Sequence, residues 1–316
     1  MTSVKAPTFS DIQTAQKHIA GTAIRTPLVR LNSDDPSPEI YLKLENLQPI
    51  GSFKLRGAGN AMQSMAANDL KEGVYTASAG NMAQGVAWMA REMEIPCNVI
   101  VPDHAPETKL IAIERLNGKI IKVPFSEWWQ IIIDHHYPGM TGRFIHPVSD
   151  PAVIAGNGTI GLEILEDLPD VDIVIIPFGG GGLSSGIATA IRALKPDTRI
   201  FACEVETAAP LKASFDAGEP QVVDYTASFV DGIGSKSVLP EMWPLVRRLL
   251  DDALVVTLAE TAAALRMMME RNRIIAEGAG AAPVAAALSG RAGRGKIVCV
   301  VSGGNIDSAK LIQILK

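Results

Sequence analysis

The stretch Asp172-Ile-Val-Ile-Ile-Pro-Phe-Gly-Gly-Gly-Gly-Leu-Ser-Ser-Gly186 reads as a strand that runs into four consecutive glycines and then into a helix. Gly179, Gly180, Gly181 and Gly182 can take positive φ and let the backbone close on a ligand with no Cβ in the way. Free N–H groups then converge on one point, and the helix dipole adds positive potential there, which suits a phosphate. No Lys follows the glycines, so the Walker A pattern fails. The strict dinucleotide pattern G-x-G-x-x-G fails as well, because Ser184 or Ser185 stands where the last glycine is needed. Glu204, however, ends the next strand, where a dinucleotide enzyme places its ribose ligand. The loop alone leaves a nicotinamide-dependent dehydrogenase open. A bare turn without a ligand is the weaker reading, since each glycine costs folding entropy of about 1 kcal/mol.

Outward from this loop, strand and helix patterns alternate, the mark of an α/β protein with mainly parallel sheets. Strands are expected at Tyr41–Glu45, Val74–Ala77, Asn98–Val101, Ile120–Val123, Asp172–Ile176, Arg199–Glu204, Leu254–Thr257 and Lys296–Val301. Several are short continuous apolar runs, as expected when helices cover both faces of a sheet. Helices are expected at Ala83–Met93, Glu107–Leu116, Ser184–Leu194 and Ala259–Asn272. Residues 71–146 have their own β-α-β-α-β rhythm and form a small, mobile, substrate-loop domain. Residues 1–70 and 147–316 supply a larger cofactor-binding domain with a second sheet. A ligand between two such sheets lies at the carboxyl ends of their strands. The chain ends soon after its last strand, so no C-terminal regulatory domain is expected.

Composition narrows the function classes. With 316 residues, 47% of them hydrophobic and 20% charged, the chain can bury a core. A net charge of -5 and the lack of any Lys/Arg block argue against a nucleic-acid partner. Cys97, Cys203 and Cys299 sit in apolar stretches without ligand spacing and read as buried small hydrophobes of a reducing compartment. The N-terminus lacks an apolar run, and no stretch is long and apolar enough for a membrane span. The expectation is a cytoplasmic protein with no membrane or nucleic-acid partner.

Three further segments carry chemistry. In Glu45-Asn-Leu-Gln-Pro-Ile-Gly-Ser-Phe-Lys-Leu-Arg-Gly57, Lys54 is flanked by Phe53 and Leu55, which points to partial burial. A desolvated Lys has a depressed pKa and can attack a carbonyl, although a solvated surface Lys is the common alternative. In Thr76-Ala-Ser-Ala-Gly-Asn-Met-Ala-Gln-Gly85 a strand leads into a helix with Ser78 as its expected N-cap, and the loop amides suit a carboxylate. Lys296-Ile-Val-Cys-Val-Val-Ser-Gly-Gly-Asn305 is a strand ending in Ser302, whose hydroxyl either faces a ligand or belongs to a simple turn.

With Pro-Ala-Val-Ile-Ala-Gly-Asn-Gly-Thr159 and Glu-Gly-Ala-Gly-Ala281, these motifs occur in one order between about Thr26 and Asn305. In that order they resemble the fold type II pyridoxal-phosphate enzymes, and among them the serine/threonine dehydratase and serine racemase family. The resemblance implies two open twisted sheets with the site between them. It implies that Lys54 carries pyridoxal 5'-phosphate as a Schiff base and that Phe53 packs near the ring. Asn81 meets the 3-hydroxyl, Ser302 the pyridine nitrogen, and Gly179, Gly180, Gly181, Gly182 and Leu183 hold the phosphate. Ser78, Ala79, Gly80 and Asn81 form the loop over the substrate carboxylate, with Met82 adjoining it. A homodimer or homotetramer is expected on the same ground.

The implied activity is dehydration of a β-hydroxy amino acid, L-threonine or L-serine foremost, to a 2-oxo acid and ammonia, with Lys54 as the base at Cα. Three departures from the family pattern bear on it. Ala79 stands where racemases carry a serine that reprotonates Cα, which demotes racemisation. Met82 stands where dehydratases commonly carry histidine, which opens the substrate question. Glu204 and Ala208 match two members of the family's cation site, but Pro210 occupies the third place, so that site is expected to be absent or weakened. Trp128 and Trp129, in Pro124-Phe-Ser-Glu-Trp-Trp-Gln130, read as packing residues, the alternative being an aromatic wall for a substrate larger than threonine. A bulkier or acidic 3-hydroxy amino acid, a β-replacing synthase and a non-catalytic cofactor binder are the remaining alternatives.

Overall fold

The computed structural model describes residues 3–35 and 37–316. Its strands are β1 (Leu28–Arg30), β2 (Glu39–Leu44), β3 (Val74–Ala77), β4 (Cys97–Pro102), β5 (Lys119–Val123), β6 (Arg143–Phe144), β7 (Ile173–Pro177), β8 (Arg199–Val205), β9 (Asp252–Val256) and β10 (Lys296–Val301). They form a six-stranded sheet ordered β1-β2-β10-β7-β8-β9 and a four-stranded sheet ordered β5-β4-β3-β6. Every pairing is parallel except β1 with β2. This is the two-sheet α/β architecture of the fold type II enzymes.

The continuous apolar runs explain the central strands. Alternate residues of β7 enter different cores: Ile173 and Ile175 pack on one face, Val174 and Ile176 on the other. Strand β10 repeats the pattern with Ile297, Cys299 and Val301 against Val298 and Val300. A strand apolar at every position has to be covered twice. The helix Gly278–Leu288 covers one face with its alanines. The helices Pro151–Asp167 and Gly182–Leu194 cover the other through Ile154, Ile160, Ile164 and Ile187. Each such side chain stabilises by about 1.5–3 kcal/mol on burial. In the smaller sheet the helix Asn81–Glu92 packs Val86 and Met89 on one face, and the helix Phe125–Asp134 packs Ile131 and Ile132 on the other. Cys97, Cys203 and Cys299 are buried and unpaired.

The structure shifts several expected boundaries. Two short edge strands, β1 and β6, had no apolar run to betray them. Glu45 leaves the expected strand because Arg56 draws its carboxylate inward through bonds of 2.8 Å from Nε and Nη2. Thr257 leaves the next one to become the N-cap of the helix Leu258–Met267, closing a capping box with Glu260. That helix continues through a π-helical turn, Met268–Asn272. The helix Pro151–Asp167 was not expected, because its glycines read against a helix. They are there for close approach: a Cβ at Gly156 would lie 2.3 Å from the Arg56 carbonyl, and one at Gly158 2.8 Å from the Gly186 carbonyl.

A buried ionic quartet ties these helices to β2. Arg56 bonds Glu45 and Glu163, and Lys43 donates to Glu163 at 2.6 Å. Burial opposes ionisation of Glu45, yet the Arg56 guanidinium and the Thr26 hydroxyl hold its carboxyl below the usual range. Among the described residues no helix is long and apolar enough to cross a membrane.

Candidate active site

Residues just past the carboxyl ends of β3, β4, β7 and β10 line one cavity of about 690 Å³ between the two sheets. Every residue expected to bind cofactor or substrate borders it, from Phe53 and Lys54 through Ser78–Met82 and Gly179–Leu183 to Ser302.

Lys54 opens the helix Lys54–Gln63, and the chain before it is stitched to the end of β10. Phe53 N donates to the Ser302 carbonyl at 3.0 Å, and Ser52 forms an antiparallel bridge with Gly303. The Lys54 Nζ lies 5.2 Å from the centroid of the Phe53 ring and donates to the Pro147 carbonyl at 2.7 Å. Burial brings this amine down to about 8, against an opposing pull from the Glu277 carboxyl. The helix N-terminus also disfavours the ammonium form.

The turn that receives Lys54 is set by His146, which the sequence did not single out. Burial, together with His135 stacked at 4.1 Å, pushes His146 down to about 3, so its ring is neutral. Its Nδ1 accepts from Val148 N at 3.1 Å and Ser149 N at 2.7 Å, which leaves the proton on Nε2 to reach the Ile132 carbonyl at 3.1 Å. Val148, fixed in this way, packs against the glycine loop. A Cβ at Gly180 would lie 2.6 Å from the Val148 side chain, and one at Gly182 2.7 Å from the Val148 carbonyl. Gly181 has φ +94°, which only glycine adopts readily. Gly179 has ordinary room, its nearest neighbour being Gly232 O at 3.6 Å. Gly182 begins the helix Gly182–Leu194, whose first amides face the cavity end that the loop encloses.

The opposite wall is looser and corrects one expectation. Ser78 is not an N-cap: its Oγ accepts from Gly80 N at 3.2 Å, and the helix Asn81–Glu92 starts later, capped by Gly80 without a side-chain bond. Met82 is 1% exposed and packs with Leu55, Ala83 and Val86 in the core of the smaller sheet, so it borders the site as a core residue. Ala79 and Gly80 are half-buried, and a Cβ at Gly80 would meet nothing within 4 Å. Asn81 is already engaged: Nδ2 donates to Glu277 at 2.9 Å and Oδ1 accepts from Asn305 at 2.8 Å. Glu277 is the second functional residue that sequence reading missed. Burial pushes its carboxyl up to about 7, against the hydrogen bond from Asn81. Its one sequence cue is its place directly before the small-residue helix Gly278–Leu288.

Glu204 and Ala208 do not border the cavity. The Glu204 carboxylate accepts from Leu211 N at 2.9 Å and Lys212 N at 2.8 Å, at the start of the helix Pro210–Ala217. Burial pushes it up to about 7. Its carboxylate is engaged by the end of that helix. Among the described residues no group of three or more His, Cys, Asp and Glu is arranged to hold a metal ion.

The cavity fits pyridoxal phosphate on its own chemistry. A buried amine of lowered pKa matches an aldehyde. A glycine loop in which a Cβ at Gly180 or Gly182 would collide with Val148, leading into a helix N-terminus, matches a dianionic phosphate. Ser302, 2% exposed, brings a neutral hydroxyl to the cavity floor rather than a carboxylate.

Comparisons with known proteins agree. The family model described as pyridoxal-phosphate dependent enzyme matches residues 19–303. An L-threonine ammonia-lyase of Thermotoga maritima is 39% identical over 98% of this chain and 78% of its own. A catabolic L-threonine dehydratase of Escherichia coli K12 is 39% identical over 97% of this chain and 95% of its own. The solved structure of maize serine racemase superposes with a TM-score of 0.91 at 34% identity, covering 98% of this chain and 97% of that one. The nicotinamide alternative is thereby closed, and the chain belongs to the pyridoxal-phosphate-dependent enzymes of fold type II.

Proposed function

We propose that this protein is an ammonia-lyase that removes water from a 3-hydroxy amino acid, of the L-threonine or L-serine kind, and releases a 2-oxo acid and ammonia. The observation that carries the reading is that one cavity is lined both by Lys54, a buried amine brought down to about 8, and by Ala79. Elimination needs one base at Cα; racemisation needs a second acid-base group on the other face, and alanine is none.

Bound in the cavity, pyridoxal phosphate supplies the electron sink for the bond broken at Cα. The chain's residues do the rest. Lys54 anchors the cofactor and later takes the proton from the substrate Cα. The amides of Gly179–Leu183 and the helix behind them hold the phosphate. Asn81, oriented by Glu277 and Asn305, faces the ring hydroxyl, Phe53 packs beside the ring and Ser302 meets the pyridine nitrogen. Ser78, Ala79 and Gly80 close over the substrate carboxylate, with residues 71–146 moving as a small block.

The relatives' activities support this reading: L-threonine ammonia-lyase and L-threonine dehydratase at 39% identity. The test is 2-oxo acid release from a panel of 3-hydroxy amino acids, with chiral analysis of serine alongside. No oxo acid from any member, or serine turned over only to its mirror image, overturns the proposal. A homodimer or homotetramer in the cytoplasm belongs to the same proposal, and light scattering gives the subunit number.

A further inference from the structure

One wall of the cavity has no task in this scheme. The helix Phe125–Asp134 turns Phe125, Trp128, Trp129 and Ile132 toward it. The spacing i, i+3, i+4, i+7 puts all four on one face. The rings form a tilted run, with centroids 5.7 Å apart between Phe125 and Trp128 and 6.3 Å between Trp128 and Trp129. Trp129 also packs against the cores of both sheets, which fixes the wall in place. Trp128 is different. Its Nε1 is buried and has no hydrogen-bond partner among the described residues. Buried indole N–H groups normally find one, because leaving the donor dry is costly. Ile233 and Leu239 border the same cavity from the large-sheet side. The rim cations Lys109 and Lys310 both face Asp231, at 3.0 and 3.5 Å.

We propose that this wall is the substrate side-chain pocket and that the preferred substrate is a 3-arylserine, a 3-hydroxy amino acid with an aromatic ring on Cβ. The inference rests on the ammonia-lyase reading and adds the substrate class to it. A methyl group fills little of such a space and makes little contact with the rings that line it. An aryl ring packs edge-on or offset against the rings of this wall. An acidic side chain is the poorer match, because the nearby cations already serve Asp231. The reaction balances without a further reagent. The Cα–H and Cβ–O bonds break, one water leaves, and its return to the enamine gives the aryl 2-oxo acid and ammonia.

The test uses the holoenzyme with L-threo-3-phenylserine and L-threonine as competing probes. It compares kcat/KM for the two in the natural protein, Trp128→Phe and Trp128→Ala. Because both substrates meet the same protein sample, loss of folded enzyme cancels from the ratio. Phenylserine is expected to be favoured by at least about tenfold in the natural protein. Trp128→Phe, which keeps a smaller ring on the wall, is expected to lower that ratio about threefold, and Trp128→Ala, which removes the ring, about tenfold or more. A natural protein that prefers threonine, or a ratio unmoved in Trp128→Ala, overturns the aryl pocket and leaves the lyase standing. No oxo acid from either substrate overturns both.

Discussion

On the large-sheet wall of the cavity, a methyl group added to Gly180 or Gly182 would press on Val148 at 2.6–2.7 Å; on the small-sheet wall, one added to Gly80 would touch nothing within 4 Å. The first wall is fixed by backbone contacts and by His146, which holds Val148 and Ser149 through their amides. The second is the short stretch Ser78–Gly80, where the bond from Gly80 N to Ser78 Oγ is local, and Asn81 after it ties to Glu277 and Asn305. On the proposed site assignment, the close fit lies at the phosphate, the part of the ligand that never changes, and the slack lies where substrates differ. Packing tolerance in this molecule therefore follows the invariance of what is bound.

That contrast can be broken or sharpened by substitution. Lys54→Ala should have the largest effect, abolishing both oxo-acid release and the visible absorbance of lysine-bound cofactor; a persisting band would put the anchor elsewhere. Gly182→Ala meets a backbone oxygen that cannot step aside, and overpacking of about 1–3 kcal/mol translates into about ten- to hundredfold weaker cofactor binding by titration. Gly180→Ala meets only a side chain. Val148→Ala should rescue Gly180→Ala and fail to rescue Gly182→Ala, and rescue of both would mean that the wall is softer than its contacts imply.

The third expectation concerns pH. The attacking form of Lys54 is the free amine, and burial places its midpoint near 8. The rate at which apoprotein takes up cofactor should rise about tenfold per pH unit below that midpoint and level off above it, as stopped-flow absorbance would show. A flat profile from pH 6 to 9 would contradict the lowered pKa. The smallest effect is expected on the loose wall. Gly80→Ala should leave the midpoint of denaturation within about 0.5 kcal/mol of the natural protein and cofactor affinity unchanged, while shifting the KM of the amino acid a few-fold. Loss of cofactor in this variant would erase the distinction between the walls.

Legibility in the sequence followed the range of the forces. Strands β7 and β10 were plain because continuous apolar runs have few other uses, and the glycine loop because its chemistry is local. Lys54 was one reading among several until the motifs around it were taken in order. Ser78 was misread because cap preference is a weak rule, and its hydroxyl turned to Gly80 instead. The glycines of the helix Pro151–Asp167 hid a helix, since the helix packing that makes them useful lies between segments far apart in sequence. The parts played by His146 and Glu277 were not legible, although Glu277 opens the motif Glu-Gly-Ala-Gly-Ala281. One matters through Ile132, Pro147 and Val148, and the other through Asn81, partners that only the fold brings near.

The ionic quartet behind the site has a consequence of its own. Lys43 and Arg56 carry two positive charges and Glu45 and Glu163 two negative ones, all in direct contact. Arg56 lies two residues from Lys54 on the same helix, yet its charge is paired within the quartet, and Lys43 also faces Asp167 at 3.9 Å, so no unpaired cation of this cluster acts on the amine. The acidity of Lys54 then comes from dryness rather than from a neighbouring cation. Added salt screens exposed charges and reaches dry ones poorly. Cofactor uptake should accordingly keep its pH midpoint from dilute buffer to strong brine. Glu163→Gln, which leaves one positive charge uncompensated, should lower that midpoint and so alter the pH at which this enzyme recharges itself with cofactor.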